Sequence, residues 1–208
     1  MTGHTRTGVV LAGGYSTRFG EEDKALAEID GTPMLARVVD RLAAVVDCVV
    51  VSCRTDQQPA FERALAALDC DCPIRFVTDP EPDRGPLAGI AHAFDAVASA
   101  YAAVVACDMP FVDPSFIGFL FEQAAGHEAA VPELKDGYHQ PTQAVYRVDR
   151  LSAAADRRLA TDDLSLQGAL DALDTVVIPA ATVSAHTDWR SLTDVNSRAD
   201  LEAVDSDR

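Results

Sequence analysis

Short apolar runs and longer amphipathic stretches alternate through the first 110 residues of the chain, and this alternation restricts the fold more than any other property of the sequence. Val9-Val10-Leu11-Ala12 is an uninterrupted apolar run of the length of a buried strand. After Pro33, the residues Leu35, Val38, Val39, Leu42, Val45 and Val46 recur at helical spacing on one face. Cys48 to Cys53 is a second β-branched run; Phe61 to Leu68 reads as helix, Ile74 to Val77 as strand, Leu87 to Ala98 as helix and Ala102 to Cys107 as strand. Strands that are apolar throughout and separated by helices call for a parallel sheet, because the crossover helices cover both of its faces. The expected fold is therefore α/β, a three-layer α/β/α arrangement on a mostly parallel, Rossmann-like sheet.

The second half is less regular. Asp113-Pro114 is predicted to cap and open a helix through Ala125. Ala129 to Pro132 and Thr142 to Val148 read as strands around a polar turn at Asp136-Gly137, Leu151 to Leu173 as two short helices, and Thr175 to Ile178 as a further strand. Ser197 to Val204 suits a closing helix, with Ser197 and Asp200 at capping-box spacing. With no repeat or linker, residues 1–208 are expected to form a single domain, with an N-terminal half over about residues 7–112 and a C-terminal half over about residues 113–205.

Charge narrows the function. Seventeen Lys and Arg against thirty-three Asp and Glu give a formal charge of -16, which excludes a nonspecific nucleic-acid binder or a basic membrane-surface protein, since both need cationic side chains. Only Lys24 and Lys135 are lysines, against fifteen arginines, and the acid is spread along the chain. This bias matches proteins kept soluble in concentrated salt, so a salt-adapted source is expected. The five cysteines lack metal-site or disulfide spacing and read as small buried residues of a reducing cytosol. No apolar run reaches membrane-spanning length, and the run at Val9 to Ala12 is too short for a signal-peptide core, so a cytoplasmic location is expected.

In an open parallel sheet, ligands bind beyond the carboxyl ends of the strands, which directs attention to three loops. The first runs from Leu11 through Ala12, Gly13 and Gly14 to Arg18, Gly20 and Lys24. Its glycines let backbone N–H groups approach phosphate oxygens, and Arg18 and Lys24 can neutralise a triphosphate. It has neither the GxGxxG of dinucleotide folds nor the GK[ST] of P-loops. A chain nearly devoid of lysine keeps one here, where a phosphate site wants a compact point charge. The second loop, from Thr78-Asp79 to Gly89, is rich in turn residues and ends at a helix start. The third places Asp108 after the strand ending at Cys107, where a carboxylate can hold phosphate-bound Mg2+ or simply cap a turn.

Taken in order and spacing, LAGGYSTRFG with its following Asp-Lys, then DPEPDRGPLAGI, CDMPF, HQPTQAVY and DVNSRADL resemble the molybdenum cofactor guanylyltransferases, MobA-type members of the nucleotide-diphospho-sugar transferase-like fold. The resemblance runs from Gly8 to about Leu201. The glycine loop with its Arg and Lys is shared across nucleotidyltransferases; its combination with GPLAGI, DMPF, QPTQAVY and the closing segment points to MobA.

The resemblance implies transfer of GMP from GTP to the terminal phosphate of molybdenum-bearing molybdopterin, with release of pyrophosphate and with Mg2+ as cofactor. It assigns Leu11, Ala12, Gly13 and Gly14 to the nucleotide through backbone groups, Lys24 to its phosphates, Asp79 to the nucleoside pocket and Asp108 to the metal. Arg18, Lys24 and Asp108 would be the catalytic residues. Family members often carry an Asn-containing segment after the second strand, where this chain reads Val51-Ser52-Cys53-Arg54. The family's closing Asn-x-Asn-Thr reads Asp194-Val195-Asn196-Ser197 here, which transfers only Asn196, to the pterin-acceptor side. Partners implied beyond GTP and molybdopterin are molybdenum-cofactor biosynthesis proteins and recipient apo-enzymes. A sibling nucleotidyltransferase (cytidylyl transfer to the same pterin, or guanylyl transfer to another phosphorylated molecule) would share LAGG, Lys24 and Asp108, whereas a non-catalytic nucleotide binder of the same fold would need neither Lys24 nor Asp108. His139, beside Gln140, reads as a loop residue and not as an acid or base.

Overall fold

The apolar runs become the centre of a sheet. The computed structural model describes residues 5–14, 23–79, 84–197 and 199–200. Its strands are β1 (Thr7–Leu11), β2 (Glu28–Ile29), β3 (Thr32–Pro33), β4 (Cys48–Cys53), β5 (Ile74–Thr78), β6 (Tyr101–Ala106), β7 (Ala129–Pro132), β8 (Gln143–Arg147) and β9 (Thr175–Ile178). The helices are α1 (Met34–Ala43), α2 (Gln58–Leu65), α3 (Gly85–Phe94), α4 (Pro114–Gln123), α5 (Val148–Leu159), α6 (Leu166–Leu170) and α7 (Ala180–His186), with 3-10 turns at Lys24–Leu26 and Trp189–Leu192.

Seven strands form one sheet in the order β5-β4-β1-β6-β8-β7-β9. Only β8 runs against its neighbours; the pairs β1·β4, β1·β6, β4·β5 and β7·β9 are parallel. In register, Val9 faces Val50 on one side and Val104 on the other. Because successive side chains point to opposite faces, the apolar runs feed two cores at once. Val10, Val49, Val51, Ala103 and Val105 pack with α1 and α4, while Val9, Val50, Ala102 and Val104 pack with α3, α5 and α6. In α4 alone Phe116, Ile117 and Leu120 are fully buried, each burial stabilising by roughly 1.5–3 kcal/mol.

Helix ends follow local chemistry. Asp113 caps α4 by accepting from Ser115 N–H at 2.8 Å, and Ser165 caps α6 by accepting from Gly168 N–H at 3.0 Å. Asp200 N–H donates to Ser197 Oγ at 3.2 Å, as the expected closing cap requires; residues 198 and 201–204 of that segment lie outside the described residues. Helix α3 stops at Phe94, four residues short of the expectation, as the chain turns there with Ala96 and Val97 N–H groups on Ala93 and Phe94 carbonyls. Two elements were not expected. Strands β2 and β3 form a hairpin across Asp30 and Gly31, both at positive φ, a tight turn that suits Asp-Gly. Helix α7 buries only Val183, too little apolar content to show helical periodicity. The cysteines are all free, but only Cys53 is buried as a whole residue; Cys48, Cys70, Cys72 and Cys107 sit half-buried at strand ends and connections, with the Cys107 thiol itself enclosed.

Candidate active site

Beyond β1 the chain continues through Ala12, whose N–H donates to Ser52 O at 2.8 Å and extends the parallel ladder past the strand end. Nothing in the described protein demands glycine at the next two positions. Neither has a positive φ, a Cβ on Gly13 would meet nothing nearer than 3.8 Å, and one on Gly14 would meet nothing within 4 Å. Their bare backbone instead borders a cleft of about 310 Å³, whose lining includes Leu11, Gly13, Gly14, Ser52, Asp79 and Gly89. A ligand can therefore reach main-chain groups that a side chain would screen.

Asp79 follows β5, anchored by its N–H on Cys53 O at 2.9 Å. Its carboxylate lies in the cleft wall, 3.7 Å from His92 Nδ1 on α3. Asp108 lies two residues beyond β6, and its backbone carbonyl accepts from Val195 N–H at 2.8 Å. Its carboxylate accepts from Lys24 Nζ at 2.9 Å, and the same ammonium donates to Asn196 Oδ1 at 2.7 Å. Residues 24, 108 and 196 thus converge on one point. Asp23 holds Lys24 there by capping its turn, accepting from Ala25 N–H at 3.0 Å. The side chains of Lys24 and Asp108 are only 12% and 26% exposed, so their charges act through a medium less polar than water. Asn196, expected on the acceptor side, contacts Lys24 and bonds through its amide nitrogen to the Asp194 carboxylate. Arg18 lies outside the described residues, as do residues 80–83.

Arg54 lies in the segment that departs from the family pattern, and its guanidinium donates to the carbonyls of Gly13 at 3.2 Å and Gly14 at 3.1 Å. The available signal was its place: a cation immediately after a buried strand, at the ligand edge. The thiols near the site are not activated. Burial pushes the Cys53 thiol up to about 11 and raises Cys107 as well, so both remain protonated thiols near neutral pH. His139 pairs through a backbone bridge with Glu133 in a turn. Among the described residues no three His, Cys, Asp or Glu side chains gather to hold a metal ion. A single hard carboxylate, Asp108, fits a Mg2+ that takes its remaining ligands from phosphates and water.

These features suit a nucleoside triphosphate, with backbone and Lys24 for its phosphates. The profile of the MobA-like NTP transferase domain matches residues 8–185. The chain belongs to that family. Within it, a probable molybdenum cofactor guanylyltransferase of Natronomonas pharaonis is 44% identical over 95% of each chain. One from Haloferax mediterranei is 35% identical, covering 98% of this chain and 94% of its own. The crystal structure of molybdopterin-guanine dinucleotide biosynthesis protein A from Archaeoglobus fulgidus shares the fold of this MobA-like chain, with a TM-score of 0.77 at 23% identity and 96% coverage of both. The mostly parallel, helix-flanked sheet is that of the nucleotide-diphospho-sugar transferase-like fold. No helix among the described residues is long and apolar enough to cross a membrane.

Proposed function

We propose that this MobA-like nucleotidyltransferase is a molybdenum cofactor guanylyltransferase, joining GMP from GTP to the terminal phosphate of molybdenum-bearing molybdopterin. The observation that carries the reading is the convergence of Lys24, Asp108 and Asn196 at the carboxyl edge of the sheet, beside a cleft bordered by bare glycine backbone. A chain 44% identical over nearly its whole length, named as a probable guanylyltransferase, supports the choice of reaction.

In this reaction an oxygen of the acceptor phosphate forms a bond to the α-phosphorus of GTP while the bond to the β-phosphate oxygen breaks, and pyrophosphate leaves. The attacking group is already an anion, so no side chain must remove a proton. The chain's work is positioning and charge neutralisation. Backbone N–H groups of the Gly13-Gly14 segment cradle phosphate oxygens, and Lys24 offsets charge developing on the departing pyrophosphate, with Arg18 assigned the same task by sequence. Asp79 accepts from the N1–H and N2–H groups of guanine, as carboxylates accept from base donors. Asp108 would hold Mg2+, which when bound supplies Lewis-acid clamping of the phosphates. Lys24 and Asp108 are paired to each other in this structure, so each must exchange that partner when phosphates and cation arrive. The reaction places molybdopterin-synthesising proteins before this chain and apo-enzymes that receive the dinucleotide after it.

The test is turnover of the purified chain with each nucleoside triphosphate, molybdenum-loaded pterin and Mg2+, followed by pyrophosphate release and product mass. Product from GTP alone is expected. Product from CTP would assign the sibling cytidylyl transfer, and nucleotide binding without any product would assign a non-catalytic role.

A further inference from the structure

Two residues that follow β4 contact both the Gly13-Gly14 backbone and Asp23. Arg54 Nη1 donates to Gly13 O and Gly14 O, while its Nε and Nη2 donate to the Asp56 carboxylate at 3.1 and 3.2 Å. Nη2 also lies 4.0 Å from Asp23 Oδ2. Gln57 closes the circuit: its Oε1 accepts from Arg54 N–H at 2.8 Å, and its Nε2 donates to Asp23 Oδ2 at 2.5 Å. Asp23 in turn caps the turn that carries Lys24. Arg54 and Gln57 are 9% and 4% exposed.

We infer that Arg54 and Gln57 are positioning residues that staple the Gly13-Gly14 backbone to the Lys24 turn and so preset the phosphate-binding geometry. The inference rests on the nucleotidyl-transfer reading above. Three physical points carry it. In a trans peptide the C=O and the following N–H point in opposite directions, so tying Gly13 O to Arg54 turns Gly14 N–H away from Arg54 and leaves it for an anion. All three guanidinium nitrogens are engaged by the protein, and two carboxylates stand against the charge, so Arg54 acts as a clamp and not as a further cation on the phosphates. Hydrogen bonding from Arg54 also holds the Asp56 carboxyl below its usual range. Without it, the backbone donors and Lys24 would have to be ordered at the moment of binding, which weakens binding by that ordering cost.

The test uses two variants of the full chain. Arg54→Lys keeps the charge but cannot bridge two carbonyls and a carboxylate. Gln57→Glu keeps the acceptor for Arg54 N–H and sets a carboxylate against Asp23. Each should weaken GTP binding in calorimetry and raise KM for GTP by about tenfold, as loss of a charge-assisted bond does, with KM for the pterin unchanged. Amide exchange at Ala25 and Ala27 should accelerate while the melting temperature stays close to that of the parent. In a Lys24→Ala background Gln57→Glu should have less than about half of its effect on a logarithmic scale, because coupled residues are not additive. Unchanged GTP binding in both variants, or a loss matched by a collapse in melting temperature, would overturn the staple. If the parent chain binds no GTP, the nucleotidyl-transfer reading fails, and unaltered exchange at Ala25 and Ala27 would then still refute the staple on its own.

Discussion

Strands β5, β4, β1 and β6 and strands β8, β7 and β9 share one sheet but deliver residues to the site by different rules. The first four are parallel, so every loop leaving them emerges at the same edge. Gly13 and Gly14, Arg54, Asp79 and Asp108 all arrive there by topology alone. Strand β8 is reversed: Gln143, its first residue, pairs with Val105 near the end of β6, so Thr142 enters the cleft wall from the start of a strand. Asn196 comes from farther still, brought in where Val195 N–H meets Asp108 O. The parallel half therefore concentrates chemistry through direction, whereas the other half depends on particular long-range contacts. Substitutions in the two halves should fail differently.

The sharpest contrast is expected from Asp108→Asn. It should lower pyrophosphate release by a hundredfold or more, on the order of several kcal/mol of transition-state stabilisation, because an amide lacks the charge to hold a hard cation. The melting temperature should barely move, since the backbone carbonyl that anchors Val195 is untouched. Near-normal turnover at saturating Mg2+ would reduce Asp108 to a turn residue and break the contrast. Next, Asp79→Asn should weaken GTP relative to ATP in calorimetry by roughly tenfold, as a lost carboxylate contact to base donors does; an unchanged ratio would remove Asp79 from base selection.

The other half should answer in stability. Gln143 is fully buried on β8, and neither atom of its amide has a protein partner. Gln143→Met, of similar length and volume, should stabilise the fold by on the order of 1 kcal/mol, seen as a melting shift of roughly 2–4 °C for a chain of this size. Turnover should change less than about twofold, because a fully buried side chain touches no substrate; a large loss of activity would make β8 part of the chemistry after all. The smallest effect per group is expected from salt. With a formal charge of -16, melting temperature should climb with KCl as self-repulsion is screened. A flat profile would leave the acidic composition without a role in stability.

The parallel half was legible for a physical reason. Strands buried on both faces must be apolar without interruption, so Val9 to Leu11 and Val49 to Val51 announce themselves, and the polar or glycine-rich residues that follow them stand out. Position and composition single out Lys24 and Asp108 as candidate site residues, but not their 2.9 Å pairing, because no spacing rule links residues 84 positions apart. The hairpin at Asp30-Gly31 had a readable turn signal but strands of only two residues, too short for a visible period. Helix α7 lacked even that: it is set by Val183 reaching the core and by His186 stacking on Phe119 with ring centroids 4.0 Å apart.

Sequence alone determined the α/β layering, the edge where a ligand site is expected and the residue types gathered in the first and third loops, since these depend on local hydrophobic period and on which residues tolerate turns. Only the tertiary structure decided that β8 runs backwards, that Asn196 meets Lys24, and that Arg54 faces the glycine carbonyls and not solvent. Each of these is a contact between distant parts of the chain. Such contacts are selected by packing and by the need of buried polar groups for partners, and neither requirement leaves a periodic trace in the order of the residues.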